Sequence, residues 1–137
     1  MFVDASAMVA VLCREPGADV FADLLEAASS SITSPIAIFE TVLGLCRKRH
    51  ASVEEAAADV NEFLALAKVR TVAITDRETE TALMAFARYG KGRGHPAQLN
   101  LADCFAYAVA ANHGTSLLFK GDDFDKTDIP SAASGEK

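Results

Sequence analysis

Three carboxylates stand out in this chain because they are alone. Asp103, within NLADCFAYAVAANHG, is the only Asp, Glu, Lys or Arg between Arg93 and Lys120. Asp4 is the first charge of the chain, and the next is Arg14. Glu40, within SPIAIFETVLGLC, is the only such residue between Glu26 and Arg47. An ionised carboxylate in apolar surroundings is costly unless paired, and no Arg or Lys is near any of the three in sequence. If folding gathers them, their repulsion raises their pKa values. A divalent cation relieves both problems. Oxygen donors without companion His or Cys select a hard ion, Mg²⁺ with Mn²⁺ as a substitute, which keeps several of its waters. Zinc is disfavoured, because His50, His95 and His113 have no ligand-like spacing to one another. A fourth acid is available in LLFKGDDF, where Asp122 and Asp123 follow an apolar run.

Each acid also has an ordinary structural reading. Asp4 suits the cap of a first helix. Asp103 suits the third position of a helix capped by Asn100, and Glu40 borders an apolar stripe of Ile36, Phe39, Leu43 and Cys46. Asp122 and Asp123 suit a turn. Cations that would grip a polyanion lie nearby in sequence. Arg47 falls two turns beyond Glu40, and Lys91, Arg93 and His95 sit in the glycine-rich segment GKGRGHP just ahead of Asp103. Ser6, two residues past Asp4, would orient that carboxylate or contact a phosphate.

The elements that must position these groups are legible as short strands alternating with helices. MFVD, SIT, VRTVAIT and SLLF read as strands, with TDI as a possible last one. Helices are expected through ASAMVAVLC, through EPGADVFADLLEAA, after Ser34-Pro35, after the capping box SVEE, after the capping box TDRE and after Asn100. GKGRGHPAQL reads as a loop. This alternation predicts an α/β fold with a mostly parallel central sheet covered by helices on both faces, and sites in such sheets form beyond the carboxyl ends of the strands. The expected boundaries are one domain over 1–129 and a small, polar tail over 130–137.

With 137 residues, half of them apolar, the chain suits a single core. A net charge of −6 argues against binding nucleic acid through bulk charge, so any such site must be local and cation-assisted. No apolar run is long enough to span a membrane, the start lacks a basic leader region, and the three cysteines are scattered through apolar stretches. A reduced, cytoplasmic protein is expected.

Asp4 ending the first strand with Ser6 beyond it, Glu40 in SPIAIFETVLGL, GKGRGHPAQLNLADCFAYA and LLFKGDDFDKTDI together resemble a PIN-domain protein. More narrowly, they resemble the VapC ribonuclease toxins of toxin–antitoxin pairs, over residues 1 to about 129. The resemblance implies a three-layer fold, Mg²⁺-dependent RNA cleavage leaving 5′-phosphate and 3′-hydroxyl ends, a homodimer, and inhibition by a VapB-type antitoxin whose peptide enters the acidic groove. By position it makes Asp4 and Asp103 the direct metal ligands and Glu40 a third member of the acidic pocket. Asp122 or Asp123 is the fourth, with Asp122 preferred because it follows Gly121 at the strand exit. Ser6, Arg47, Lys91 and Arg93 become candidate substrate contacts. Two other readings compete: a receiver-like Mg²⁺-binding signalling domain, and an inactive fold of the same kind that only binds its antitoxin. The first lacks the acidic pair such a domain needs at its first strand, and the second leaves three isolated acids without a use.

Overall fold

The computed structural model describes residues 1–133. Four short strands, β1 (Phe2–Val3), β2 (Ser31–Thr33), β3 (Val69–Thr71) and β4 (Leu117–Leu118), pair in the order β3-β2-β1-β4. Every pairing is parallel, with Phe2 opposite Ile32 on one side and opposite Leu117 on the other. The helices are α1 (Ala5–Leu12), α2 (Ala18–Ala27), α3 (Pro35–Arg49), α4 (Val53–Leu66), α5 (Asp76–Tyr89) and α6 (Leu101–Asn112). Right-handed crossovers decide the layers. The steps β1→β2→β3 advance in one direction and put α1–α4 on one face. The step β3→β4 doubles back past β1 and puts α5 and α6 on the other. The contacts agree: α1 packs on α2 and α3, α3 on α4, and α5 on α6.

Local chemistry fixes where the helices begin. Ser34 Oγ accepts from the Ala37 N–H at 3.2 Å with Pro35 in the first turn. Reciprocal capping boxes open α4 (Ser52, Glu55), α5 (Thr75, Glu78) and α6 (Asn100, Asp103). Between the helical layers, Phe2, Met8, Val109, Leu117 and Leu118 are fully buried.

The structure departs from the sequence reading in several places. The third strand stops at Thr71, well short of Thr75. The segment Thr127–Ile129 forms no strand; instead Ser131 makes an isolated parallel bridge to Leu117. Leu117 exchanges backbone hydrogen bonds with Pro130 and Ala132, both at 2.9 Å, so the start of the expected 130–137 tail lies against the sheet edge. Residues 134–137 of that segment lie outside the described residues. On α3 the buried face is not the apolar stripe but Ala37, Thr41, Gly44 and Leu45, small residues except the last. A Cβ at Gly44 would stand 2.9 Å from Val9 Cγ2, so only glycine lets α3 approach α1 this closely. Phe39 and Leu43 are consequently left 67% and 49% exposed. No helix among the described residues is long and apolar enough to cross a membrane.

A polar clamp around the buried Glu78 ties α5 to α6. Glu78 Oε1 accepts from the Thr75 N–H and hydroxyl at 2.9 and 2.7 Å, and its Oε2 accepts from Asn112 Nδ2 at 3.0 Å. These donors hold the Glu78 carboxyl down at about 2. Asn112 Oδ1 accepts in turn from the Thr81 hydroxyl at 3.0 Å. Asn112→Ala strips partners from Glu78 and Thr81 and is expected to cost about 1–3 kcal/mol in urea unfolding. A loss within error would show that the clamp carries no stability.

Candidate active site

The strand order has its switch point between β1 and β4, where the chain leaves β1 in one direction and reaches β4 from the other. Beyond the carboxyl ends of these strands lies a cavity of about 330 Å³, lined by Asp4, Glu40 and Asp103 together with Ser6, Glu15, Arg47, Lys48 and Lys120. The three isolated acids thus arrive from separate segments: Asp4 from the end of β1, Glu40 from the second turn of α3, and Asp103 from the first turn of α6.

Each position has a local cause. Asp4 caps α1, its Oδ2 accepting from the Ser6 N–H at 3.0 Å and the Ser6 hydroxyl at 2.6 Å. Ser6 Oγ also accepts from the Lys120 N–H at 2.9 Å, while the Asp4 N–H donates to the Leu118 carbonyl at 3.0 Å. The end of β1 is therefore tied to the exit of β4. On its other side, the buried Thr33 hydroxyl donates to the Val3 carbonyl at 2.9 Å and ties β1 to the end of β2, from which α3 starts. Asp103 Oδ2 accepts from the Asn100 N–H at 3.0 Å. The capping roles and the gathering of the acids are thus the same arrangement, because a carboxylate at a helix N-terminus faces the strand ends.

Electrostatically the acids oppose one another. Asp4 is 5% exposed, and burial pushes its carboxyl above the ordinary range against the pull of the Ser6 hydrogen bonds. Glu40 is raised to about 7, first by burial, then by the charges of Asp4 and Asp103, with Arg47 pulling the other way. Asp103 is raised to about 6 by burial, with the charges of Asp4 and Asp123 adding to the rise against the Asn100 hydrogen bond. The turn acid that acts on Asp103 is therefore Asp123. Asp122, the residue favoured from sequence, is exposed and Asp123 is half-buried; neither lines the cavity. In this turn Gly121 takes φ +113°, and Asp123 directly precedes the 3₁₀ turn Phe124–Lys126, whose Phe124 is buried against Phe119.

Arg47 sits on the cavity wall, as its spacing from Glu40 predicts. Lys91 and Arg93 do not line the cavity. Their loop is closed at its base by the Lys91 N–H on the Leu99 carbonyl at 2.9 Å, and the Arg93 guanidinium lies 5.7 Å over the Phe86 ring. His95 is set edge-on against Tyr89 at 4.9 Å. Beside Arg47 the cavity is lined by Glu15, Lys48 and Lys120, which the sequence did not single out by number; the two lysines complete its basic side. Lys48 stood in view within RKRH and Lys120 within LLFKGDDF, but only the tertiary fold brings them to one acid. Cys104 is buried with its thiol pushed up to about 11, which leaves no thiolate for nucleophilic chemistry.

By donor type the pocket suits an oxygen-seeking cation, since its acids are carboxylates and Asp103 Oδ1 makes no hydrogen bond among the described residues. As placed, no three of the His, Cys, Asp and Glu groups among the described residues close on a common point at ligating distance. A hard ion that keeps its own waters can fill such a gap, whereas a fully protein-ligated ion cannot.

The sign of the pH dependence follows from the raised values. Between about pH 4 and 7 the folded chain holds protons on Asp103 and Glu40 that the unfolded chain has released, so stability rises as pH falls through that window. The lowered acids Glu15 and Glu78 pull the other way only below their ordinary values near 4.5. In chelator, the melting temperature is expected to be several degrees higher at pH 5 than at pH 7.5. Asp103→Asn, which keeps an acceptor for the Asn100 N–H, should flatten that difference. A protein more stable at pH 7.5 would mean that the acids are paired rather than opposed.

Comparison with known proteins places this geometry. The PIN domain family model matches residues 1–130. A VapC ribonuclease of Rhizobium meliloti (strain 1021) is 40% identical, with 93% of this chain and 98% of the relative covered. Ribonuclease VapC30 of Mycobacterium tuberculosis is 39% identical, with 97% and 98% covered. Among solved structures, the sarcin–ricin loop cleaving toxin VapC20 of M. tuberculosis superposes with a TM-score of 0.74 at 19% identity, covering 93% of this chain and 95% of that one. A toxin–antitoxin complex from Klebsiella pneumoniae gives 0.64 at 20% identity, covering 90% and 88%.

Proposed function

The chain belongs to the PIN-domain family, in its VapC branch, and on that premise we propose that it is the toxin of a toxin–antitoxin pair, a Mg²⁺-dependent endoribonuclease held inactive by its antitoxin. One observation carries this reading: Asp4, Glu40 and Asp103 arrive from three segments in one cavity at the switch point, where burial raises all three and the charges of neighbouring acids raise Glu40 and Asp103 further. Membership in this family also removes the receiver-like alternative.

Asp4 and Asp103 would hold the ion, with Mn²⁺ as a substitute. When bound, such an ion offsets the negative charge of the acids and of the phosphate and favours hydroxide over water. The remaining work falls to the chain. Ser6 holds Asp4 by two hydrogen bonds and Asn100 holds Asp103 by one, so neither carboxylate must be ordered at the moment of reaction. Glu40, whose carboxyl is raised in the metal-free chain by burial and by the charges of Asp4 and Asp103, would ionise once the ion offsets those charges and could then take the proton of the attacking water. Water attacks phosphorus and gives a proton to Glu40, the bond to the 3′ oxygen breaks, and that oxygen takes a proton from solvent, so the products carry a 5′-phosphate and a 3′-hydroxyl. Asp123, which bears on Asp103, takes the fourth acid's place in preference to Asp122. Arg47 on the wall meets the phosphate backbone; Lys91 and Arg93 would contact RNA only outside the cavity.

The antitoxin reading draws on the Klebsiella complex and on the surface beside the acids. A groove of about 480 Å³ between α3 and α6, lined by Ile36, Phe39, Leu43 and Leu101, shares Glu40 with the cavity. A peptide with apolar side chains and an arginine would fill the groove and pair with the acids together. The homodimer and the cytoplasmic location stand as further parts of this proposal.

Purified protein is expected to cut RNA with Mg²⁺ or Mn²⁺ and to stop in EDTA. Asp4→Asn, Glu40→Gln and Asp103→Asn should each lower cleavage by about 100-fold or more. Cleavage that survives EDTA or Asp4→Asn would remove the metal mechanism. Asp123→Asn is expected to lower the rate by at least about 10-fold and Asp122→Asn to leave it within about 2-fold. The reverse order would return the fourth position to Asp122.

A further inference from the structure

The cavity has a basic side that the acids do not explain. Glu15, in the turn after α1, accepts from Lys120 Nζ on Oε1 at 3.0 Å and from Lys48 Nζ on Oε2. The three residues come from the end of α1, the last turn of α3 and the exit of β4, and all line the cavity that holds Asp4, Glu40 and Asp103. Their backbones are fixed: the Glu15 N–H donates to the Ala10 carbonyl at 2.8 Å, and the Lys120 N–H to Ser6 Oγ at 2.9 Å. The Glu15 side chain is 17% exposed, whereas those of Lys48 and Lys120 are 43% and 38% exposed. The shared carboxylate belongs to the more buried side chain, and both lysine side chains reach solvent.

We propose that Lys48 and Lys120, held side by side by Glu15, form a binding subsite for a backbone phosphate of the RNA next to the one being cut. Two ammoniums drawn to one carboxylate would repel each other without Glu15, and with one on each of its oxygens the group keeps a net positive charge toward an anion. A phosphodiester presents such an anion in its pair of non-bridging oxygens. Each ammonium has three donors and spends one on Glu15, leaving others for the phosphate. A helix C-terminus accounts for Lys48 alone, but not for Lys120 joining it from the far end of the chain. The Ser6 bridge gives the subsite its register, since the Oγ that orients Asp4 also accepts the backbone N–H of Lys120.

This inference rests on the ribonuclease reading and is tested apart from it. The probe is a short, mixed-sequence, fluorescently labelled single-stranded RNA. Its binding to the full chain carrying Asp4→Asn is followed by anisotropy over a salt series. Adding Lys48→Ala or Lys120→Ala should weaken binding several-fold and reduce the slope of log affinity against log salt by about 0.7 each. Lys48→Arg and Lys120→Arg should keep most of the slope, which a role confined to stapling segments together does not require. Lys68→Ala, in a cavity at the opposite end of the strands, should leave both quantities unchanged. In active protein the two alanine variants should raise KM more than they lower kcat. Parental affinity and slope in both alanine variants would overturn the subsite while leaving the ribonuclease reading intact. Failure of the Asp4→Asn protein to bind the probe would also overturn it, and the wild-type cleavage assay then decides whether the ribonuclease reading falls too.

Discussion

Everything distinctive in this molecule depends on like charges held together in a partly buried cavity. A carboxylate at the end of β1, one on α3 and one at the start of α6 share a cavity, and burial with mutual repulsion lifts Glu40 to about 7 and Asp103 to about 6. The fold sustains this opposition because each acid also has local support. Asp4 and Asp103 cap helices, so backbone N–H groups and helix dipoles offset part of the penalty. Capping and chemistry are served by the same atoms.

The topology makes the convergence unavoidable. A parallel sheet sends every strand's carboxyl end to one side, and the doubling back from β3 to β4 opens a crevice beside β1. The Thr33 hydroxyl on the Val3 carbonyl and Ser6 Oγ between Asp4 and Lys120 then lock the three strand exits to one another. Gly44 lets α3 lie against α1, which sets Glu40 over the crevice and leaves Phe39 and Leu43 outside it. The same close approach thus builds the acidic pocket and the apolar groove next to it.

Much of this was legible in the sequence, for physical reasons. Helix starts carry local chemistry, so Ser34-Pro35 and the boxes at Ser52, Thr75 and Asn100 could be read directly. An acid with no charged neighbour for many residues is a conspicuous expense, which is why Asp4, Glu40 and Asp103 could be picked out. What stayed hidden depends on three dimensions. The choice between Asp122 and Asp123 turns on how Gly121 and the buried Phe124 orient one tight turn. The apolar stripe on α3 misled because small residues can bury more closely than large ones. Glu15 with Lys48 and Lys120 is spread over the whole chain, so no local pattern announces it. Of the cations that drew notice, Arg47 lines the cavity, whereas Lys91 and Arg93, basic and beside glycines, lie on a loop that does not.

The central claim is that a divalent cation relieves the opposition among these acids, and calorimetry tests it most directly. Mn²⁺ or Mg²⁺ titrated into the metal-free protein near pH 6.5, in buffers of different ionisation enthalpy, should bind and release protons, because the raised carboxyls must ionise to hold the ion. Asp103→Asn should weaken binding and reduce the proton release. Absence of binding, or binding with no protons released, would contradict the account.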